Sequence, residues 1–466
     1  MTRVILFVLA FLVSDFALCE SPIGFRTDGT GRYLNADPPL EWGTDKNVVW
    51  KIDLTKSNAI PVILGEKLFT CAEPCILICV DKADGKILWQ GESRFDEIKL
   101  TEKEKSQFDV ERQQADQLSK QLSAINKENS ELRKLLKDGK APKEKTEQKL
   151  AELRNQSNEI KAERLKLTTF NRYTEAGKGG IGRYHPTGGY SSPTPVTDGR
   201  NVYVIFGNGL ATCYDLDGKR RWLKLIDQPT PAYGHGSSPL LVGDKLLVHF
   251  SDLVALNTKD GSEAWRVEIS PGHGTSMHAR LGEVDVAIHP SGNVYRTSDG
   301  SLLTKGLGST GPNSPLVQDG KVFFVAGRLR GYEVPMSSDT ATTWSPLWEG
   351  TNLKGGGYWF PSPILHDDLI YAMNARSIFT VVDATTGKIV YEKRLDFGGG
   401  QSYPSITLAG NLLFASSDNG TTIVLEPGRE YKELARNSLE TFRSSLVFEG
   451  KRMYVRTTKG LWCIGS

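Results

Sequence analysis

The chain has 466 residues, is 39% hydrophobic, and carries 57 basic against 55 acidic side chains for a formal net charge of +2. That apolar share is enough for a full core and excludes a disordered chain, while so balanced a charge excludes the basic field of a nucleic-acid-binding protein. Partner recognition and catalysis both stay open.

The first 19 residues, MTRVILFVLAFLVSDFALC, have one early Arg and an apolar run of about a dozen residues. Ala17 and Cys19 stand at −3 and −1 to a cut before Glu20. This is the pattern of a secretory signal peptide, too short for a membrane span, so an exported protein, periplasmic or secreted, is expected. Cys19 also raises a lipoprotein reading in which it becomes the acylated first residue, but Leu18 fits poorly before such a cysteine. No later segment is apolar enough to span a bilayer.

Residues 20–95 hold NVVWKIDL (47–54), a lone strand with Trp50, and a first complete unit (59–92) that ends in VDKADGKILW (80–89). In that unit Cys71 and Cys75 flank an expected hairpin turn, and pairing register decides whether they bridge. The β-like composition then stops. From 96 to 169 Glu, Lys, Gln and Leu dominate, and Leu118, Leu122, Ile125, Asn129, Leu132 and Leu136 alternate spacings of four and three, as do Leu150, Leu153, Ser157, Ile160, Arg164 and Leu167. These are heptad seams, and the Gly and Pro of KDGKAPK (137–143) turn the chain back, giving an antiparallel helical hairpin that should stand out from the rest. The hairpin is either a decoration or a docking or oligomerisation surface.

From 170 to 466 the first phrase returns as YDLDGKRRW (214–222), LNTKDGSEAW (256–265) and VDATTGKIVY (382–391). Each closes a unit of two strand-like runs, a tight Asp-Gly or Thr-Gly turn and a last strand ending in an aromatic, which reads as four short antiparallel strands. Units 191–226, 237–270, 275–308, 313–349, 361–395 and 404–437 follow the first. An eighth, 444–464, stops before its aromatic strand. Pairing it with residues 47–54 supplies Trp50 and closes a ring without a free edge. The expected fold class is all-β, an eight-bladed β-propeller of four-stranded antiparallel blades with an inserted antiparallel helical hairpin. Cys79, Cys213 and Cys463 share one repeat position with Ala255, as small buried packing residues do.

The phrase Asp81-x-x-x-Gly85-Lys86-x-x-Trp89 resembles the tryptophan-docking motif of pyrroloquinoline-quinone repeat propellers. That family includes quinoprotein alcohol dehydrogenases and the cofactor-free propeller lipoprotein of the outer-membrane barrel assembly machinery. The likeness covers about 39–92 and 191–466, and it is degenerate in TSDGSLLTKG, EVPMSSDTATTWSPLW and EPGREYKEL. In the enzymes the resemblance implies a quinone held beside a disulfide of adjacent cysteines, often with a Cys-x-x-Cys-His haem motif, calcium ligands and a catalytic Asp. This sequence has neither cysteine motif and no assignable calcium constellation. No cofactor or metal is therefore expected, and the quinone itself lacks its cysteine support.

Propeller ligands bind where loops from every blade converge on the axis. The loops entering the innermost strands hold His185, His235, His273 and His278, with Tyr190, Tyr233, Tyr358, Trp359, Gln401 and Tyr403. Glycines there let backbone approach a ligand and the rings offer stacking faces, although Gly and Ser crowd any such axis for steric reasons. His249, His289 and His366 lie in or near strands and read as ordinary. The expectation is a non-catalytic binding or scaffold propeller for a protein, peptide or glycan, without nucleic acid. An oxidoreductase with its active site at this mouth is the alternative.

Overall fold

The computed structural model describes residues 22–465, apart from 230–232, 271 and 338–342. The signal-peptide and Cys19 expectations lie outside the described residues. Among those described, eight sheets of four antiparallel strands follow one another along the chain, at 62–92, 196–225, 240–267, 277–304, 316–352, 364–394 and 407–438, and at 447–465 joined by Val48–Asp53. The first strands of successive sheets lie side by side around an axis. The chain is the expected eight-bladed propeller, and Val48–Asp53 closes it by pairing with Gly460–Gly465.

One contact explains the repeated phrase. The tryptophan that ends three of the four motifs, and Trp50 of the closing strand, lies against the next blade and donates its indole N–H to a carbonyl there: Trp50 to Lys82 at 3.2 Å, Trp89 to Leu216 at 3.0 Å, Trp222 to Thr258 and Trp265 to Thr297, both at 2.9 Å. The ring covers that blade's motif glycine so closely that a Cβ on Gly85, Gly218, Gly261 or Gly300 would sit 2.7 Å from it. These glycines also have positive φ, so both backbone and contact require a missing side chain. Opposite each tryptophan on its own sheet stands a small residue: Cys463, Cys79, Cys213 and Ala255 face Trp50, Trp89, Trp222 and Trp265. Cys71 and Cys75 are likewise buried free thiols, so they do not bridge.

Residues 22–37 form a second closure that the strand pattern did not announce. Ile23 bridges Thr197, Arg32–Tyr33 adds a parallel edge to Thr407–Ala409, and the Asp37 N–H reaches the Gly450 carbonyl. The segment thus touches inner strands on several sides of the ring and crosses one end of the channel. Arg26, 1% exposed, donates to the carbonyls of Pro363 and Ile406 from two different blades. Gly31, at φ +73°, leaves room for that guanidinium, which a Cβ would meet at 2.5 Å.

The insertion is α1 (Glu102–Lys137), α2 (Lys143–Leu165) and α3 (Thr168–Tyr173). Thr101 and Glu104 form a capping box at the start of α1. Leu153 and Ser157 are buried in the seam between α1 and α2, and a base cluster joins Phe108 and Ala115 to Leu167 and Phe170. The buried Glu111 accepts the Phe170 N–H at 2.7 Å. The base is tied to the disc where Gln228 donates to the Arg172 carbonyl at 2.9 Å.

Candidate functional site

Because residues 22–37 cross one end of the channel, the other end is a blind cup of about 780 Å³ with Phe25 among its lining residues. Its wall begins with a ring of hydrogen bonds. The residue leading into each innermost strand donates its backbone N–H to a hydroxyl of the next blade: Ile60 to Thr194, then on through Ser238, Thr275, Ser314, Ser362, Ser405 and Ser445, at 2.9–3.3 Å. This gives the Ser and Thr of the repeated Ser-Pro phrases a purpose that steric crowding alone does not, since each hydroxyl sews one blade to its neighbour. The eighth junction differs. Its acceptor position is Ile60, which has no hydroxyl to offer Ser445.

Above the ring, one wall is aromatic. Tyr358 stacks with Phe360 at 5.5 Å, Phe360 with Tyr403 at 4.4 Å, and the Arg443 guanidinium lies over Tyr403 at 4.0 Å. Arg443 also pairs with Asp418 at 3.0 Å. Across the cup stands Tyr233, 61% exposed, with His185 edge-on at 5.3 Å; Tyr358 is 65% exposed. Among the described residues the lining holds no Asp or Glu. Rings with this much exposure offer a stacking or apolar-contact surface that the described residues leave open.

Of the ten residues expected at the mouth, Tyr233, His235, His273, Tyr358, Gln401 and Tyr403 line the cup. His185 stands beside it against Tyr233. Three go elsewhere. Trp359 is 3% exposed and packs between blades with Leu353 and Ile370, because neighbouring residues on an extended chain point in opposite directions. The cup therefore receives Tyr358 and Phe360, and Phe360 is the residue that loop reading passed over. Tyr190 turns away to donate its hydroxyl to the Ala176 carbonyl at 2.7 Å. His278 belongs to the strand Met277–Leu281 and pairs with Asp285 at 2.8 Å.

The histidines form a further arrangement. Ser291 N–H donates to His289 Nδ1 at 3.1 Å, so His289 carries its proton on Nε2 and donates to His249 Nδ1 at 3.2 Å; His249 in turn donates from Nε2 to the Ser270 carbonyl at 3.1 Å. His249 and His289 are thus a neutral relay that holds the loop leading to His273, and not the ordinary strand residues expected. Burial pushes the His289 imidazole down to about 3, and burial with the nearby His249 and His273 does the same to His235. His235 is 1% exposed, its ring 4.2 Å from that of Phe250, and neither ring nitrogen makes a well-formed hydrogen bond. No group of three or more His, Cys, Asp or Glu among the described residues could hold a metal ion.

A family model described as outer membrane protein assembly factor BamB matches residues 183–300 and 286–465. No curated protein matches the chain. Among solved structures, BamB from Moraxella catarrhalis superposes with a TM-score of 0.53 at 13% identity, over 90% of this chain and 96% of that one. A europium-containing methanol dehydrogenase gives 0.54 at 11% identity over 94% and 90%, and a quinohemoprotein alcohol dehydrogenase from Pseudomonas putida HK5 gives 0.50 at 11% over 94% and 80%. At these identities the likeness carries the fold alone.

Proposed function

The chain belongs to the family of the outer membrane protein assembly factor BamB, and we propose that it is an exported, non-catalytic propeller that binds a segment of a protein or peptide partner in its cup. The observation that supports this most is the cup itself, closed at one end by the chain's own residues 22–37, with a stacked aromatic wall and two tyrosines more than half exposed. Export rests on the first 19 residues and on the family's name. Among the described residues no helix is long and apolar enough to cross a membrane. The hairpin joins the same crossover as the rim residues Thr187 and Gly188, which supports it as a second contact surface for the same partner.

A glycan is the less suitable occupant. Sugar sites commonly set carboxylates against vicinal hydroxyls beside their aromatic platforms, and the described lining has no carboxylate. The dehydrogenase alternative meets the same difficulty. Calcium takes oxygen ligands that usually include carboxylates, and the quinone of those enzymes lies beside a disulfide of adjacent cysteines, whereas the described cysteines are buried free thiols and no two are adjacent. The residues present do not fit that pair of groups, and no redox step is assigned to them.

The test is affinity selection of displayed peptides on the immobilised protein. Selected peptides should lose at least about tenfold in affinity for Tyr358→Ala and Tyr403→Ala variants that melt like the parent. Peptides indifferent to both substitutions, or dye-linked dehydrogenase turnover that appears on adding quinone and calcium, would overturn the proposal.

A further inference from the structure

Resting on the cup as a binding site, we propose that the group it receives is an anion, a carboxylate. Three observations point the same way. The first is a buried cation beneath the floor, with Asp28 near it but no carboxylate in direct contact. Arg26 follows the floor residue Phe25, is 1% exposed, and has only the carbonyls of Pro363 and Ile406 as hydrogen-bond acceptors, with its Nε unpartnered. Among the described residues it makes no ion pair. Buried charges are ordinarily paired, and an unpaired one projects its field through the low-dielectric wall into the adjoining cavity. Arg443 is not equivalent, since Asp418 already holds it.

The second observation is the direction of the ring's hydrogen bonds. Each of the seven ring hydroxyls accepts a backbone N–H, and among the described residues none passes its own proton to a protein acceptor. Their O–H groups are the donors left over, and at the eighth junction the Ser445 N–H adds another. A circle of donors suits a carboxylate, whose oxygens accept several charge-assisted hydrogen bonds at once. The third is His235 in the same wall, 1% exposed, whose ring approaches the Ser237 backbone without a well-formed hydrogen bond, a buried polar side chain still lacking its full complement. No described lining residue is acidic, so nothing in the wall repels the anion.

The carboxylate can come from a peptide, as its C-terminus, or from a small free acid, and the two are separable. Binding to the full exported chain is measured by calorimetry with tricarballylate and its triamide, and with the peptide Gly-Ser-Gly-Phe as free acid and as C-terminal amide. Each acid that binds should do so at least about tenfold more tightly than its amide, and Arg26→Gln should remove that preference while Arg26→Lys keeps it. Preference for the small acid alone assigns a free metabolite-sized anion; preference for the peptide acid alone assigns a chain terminus. If Arg26→Gln does not fold, the acid–amide contrast in the parent protein decides alone. Acid and amide binding equally, or neither acid binding with a Kd of about 1 mM or better, overturns the anion and leaves the cup itself untouched. Acid preference that survives Tyr358→Ala and Tyr403→Ala unchanged would instead move the site out of the cup.

Discussion

The Trp50 indole donates to the Lys82 carbonyl across 3.2 Å, so a strand from the start of the chain grips the first blade while pairing with the last. The same indole leaves no room for a Cβ on Gly85. The ring is therefore closed by the same docked tryptophan that joins interior blades, at the one junction where Ile60 offers Ser445 no hydroxyl.

Trp50→Ala should consequently cost about 3–5 kcal/mol, as for a large buried aromatic, and Trp89→Ala, at a half-buried ring, somewhat less. Gly85→Ala should cost about 1–3 kcal/mol, since it imposes a side chain at φ +80° and pushes the docked ring away. Chemical denaturation measures all three. A Trp50→Ala protein as stable as the parent would show that the closure carries no stabilisation.

The buried histidines make stability fall in acid. The folded-state value of His235 lies at about 3, below the unfolded value near 6.5, so the unfolded chain takes up a proton that the folded one refuses. Its contribution is complete above about pH 6.5 and is lost as pH falls toward about 3, by up to ~1.4 kcal/mol per pH unit for each such histidine. His289 acts in the same window and the same direction. Thermal midpoints from pH 8 to pH 4 should drop more gently for His235→Phe than for the parent. Parallel curves would mean that His235 is protonated in the folded protein.

Replacing 96–169 with a short Gly/Ser linker should leave a folded propeller, because the seam between α1 and α2 is internal to the deleted segment and of the base cluster only Phe170 stays behind. Far-ultraviolet circular dichroism should lose nearly all helical signal and keep the β component. Selected peptides should bind the shortened protein more weakly, since the hairpin that shares a crossover with the rim residues Thr187 and Gly188 is lost as a second contact surface. Loss of the β signal would show that the blades depend on the hairpin.

The blades, their closure and the heptad seams were legible in the sequence because each depends on a local repeat, a period of two or of seven, or a motif glycine. Even TSDGSLLTKG, which reads as degenerate, keeps the one glycine that matters, Gly300 beneath Trp265. Residues 22–37 were illegible for the opposite reason. Their bonds run to partners hundreds of positions away, through one guanidinium and a two-residue parallel edge, and leave no period to read. At the mouth, residue type found the right loops but not which of two neighbours faces inward, so Trp359 stood in for Phe360. The His249–His289 relay joins two blades across 40 positions and has no signature in either strand.

Hydrogen exchange with and without a peptide selected on the parent protein tests most directly whether a partner's segment lies in the cup. Slowed exchange should concentrate at 233–238, 272–275 and 401–405, with the outer strands unchanged. Protection confined to α1 and α2, or to the outer blade edges, would contradict a ligand in the cup and assign recognition to the hairpin or the rim of the disc.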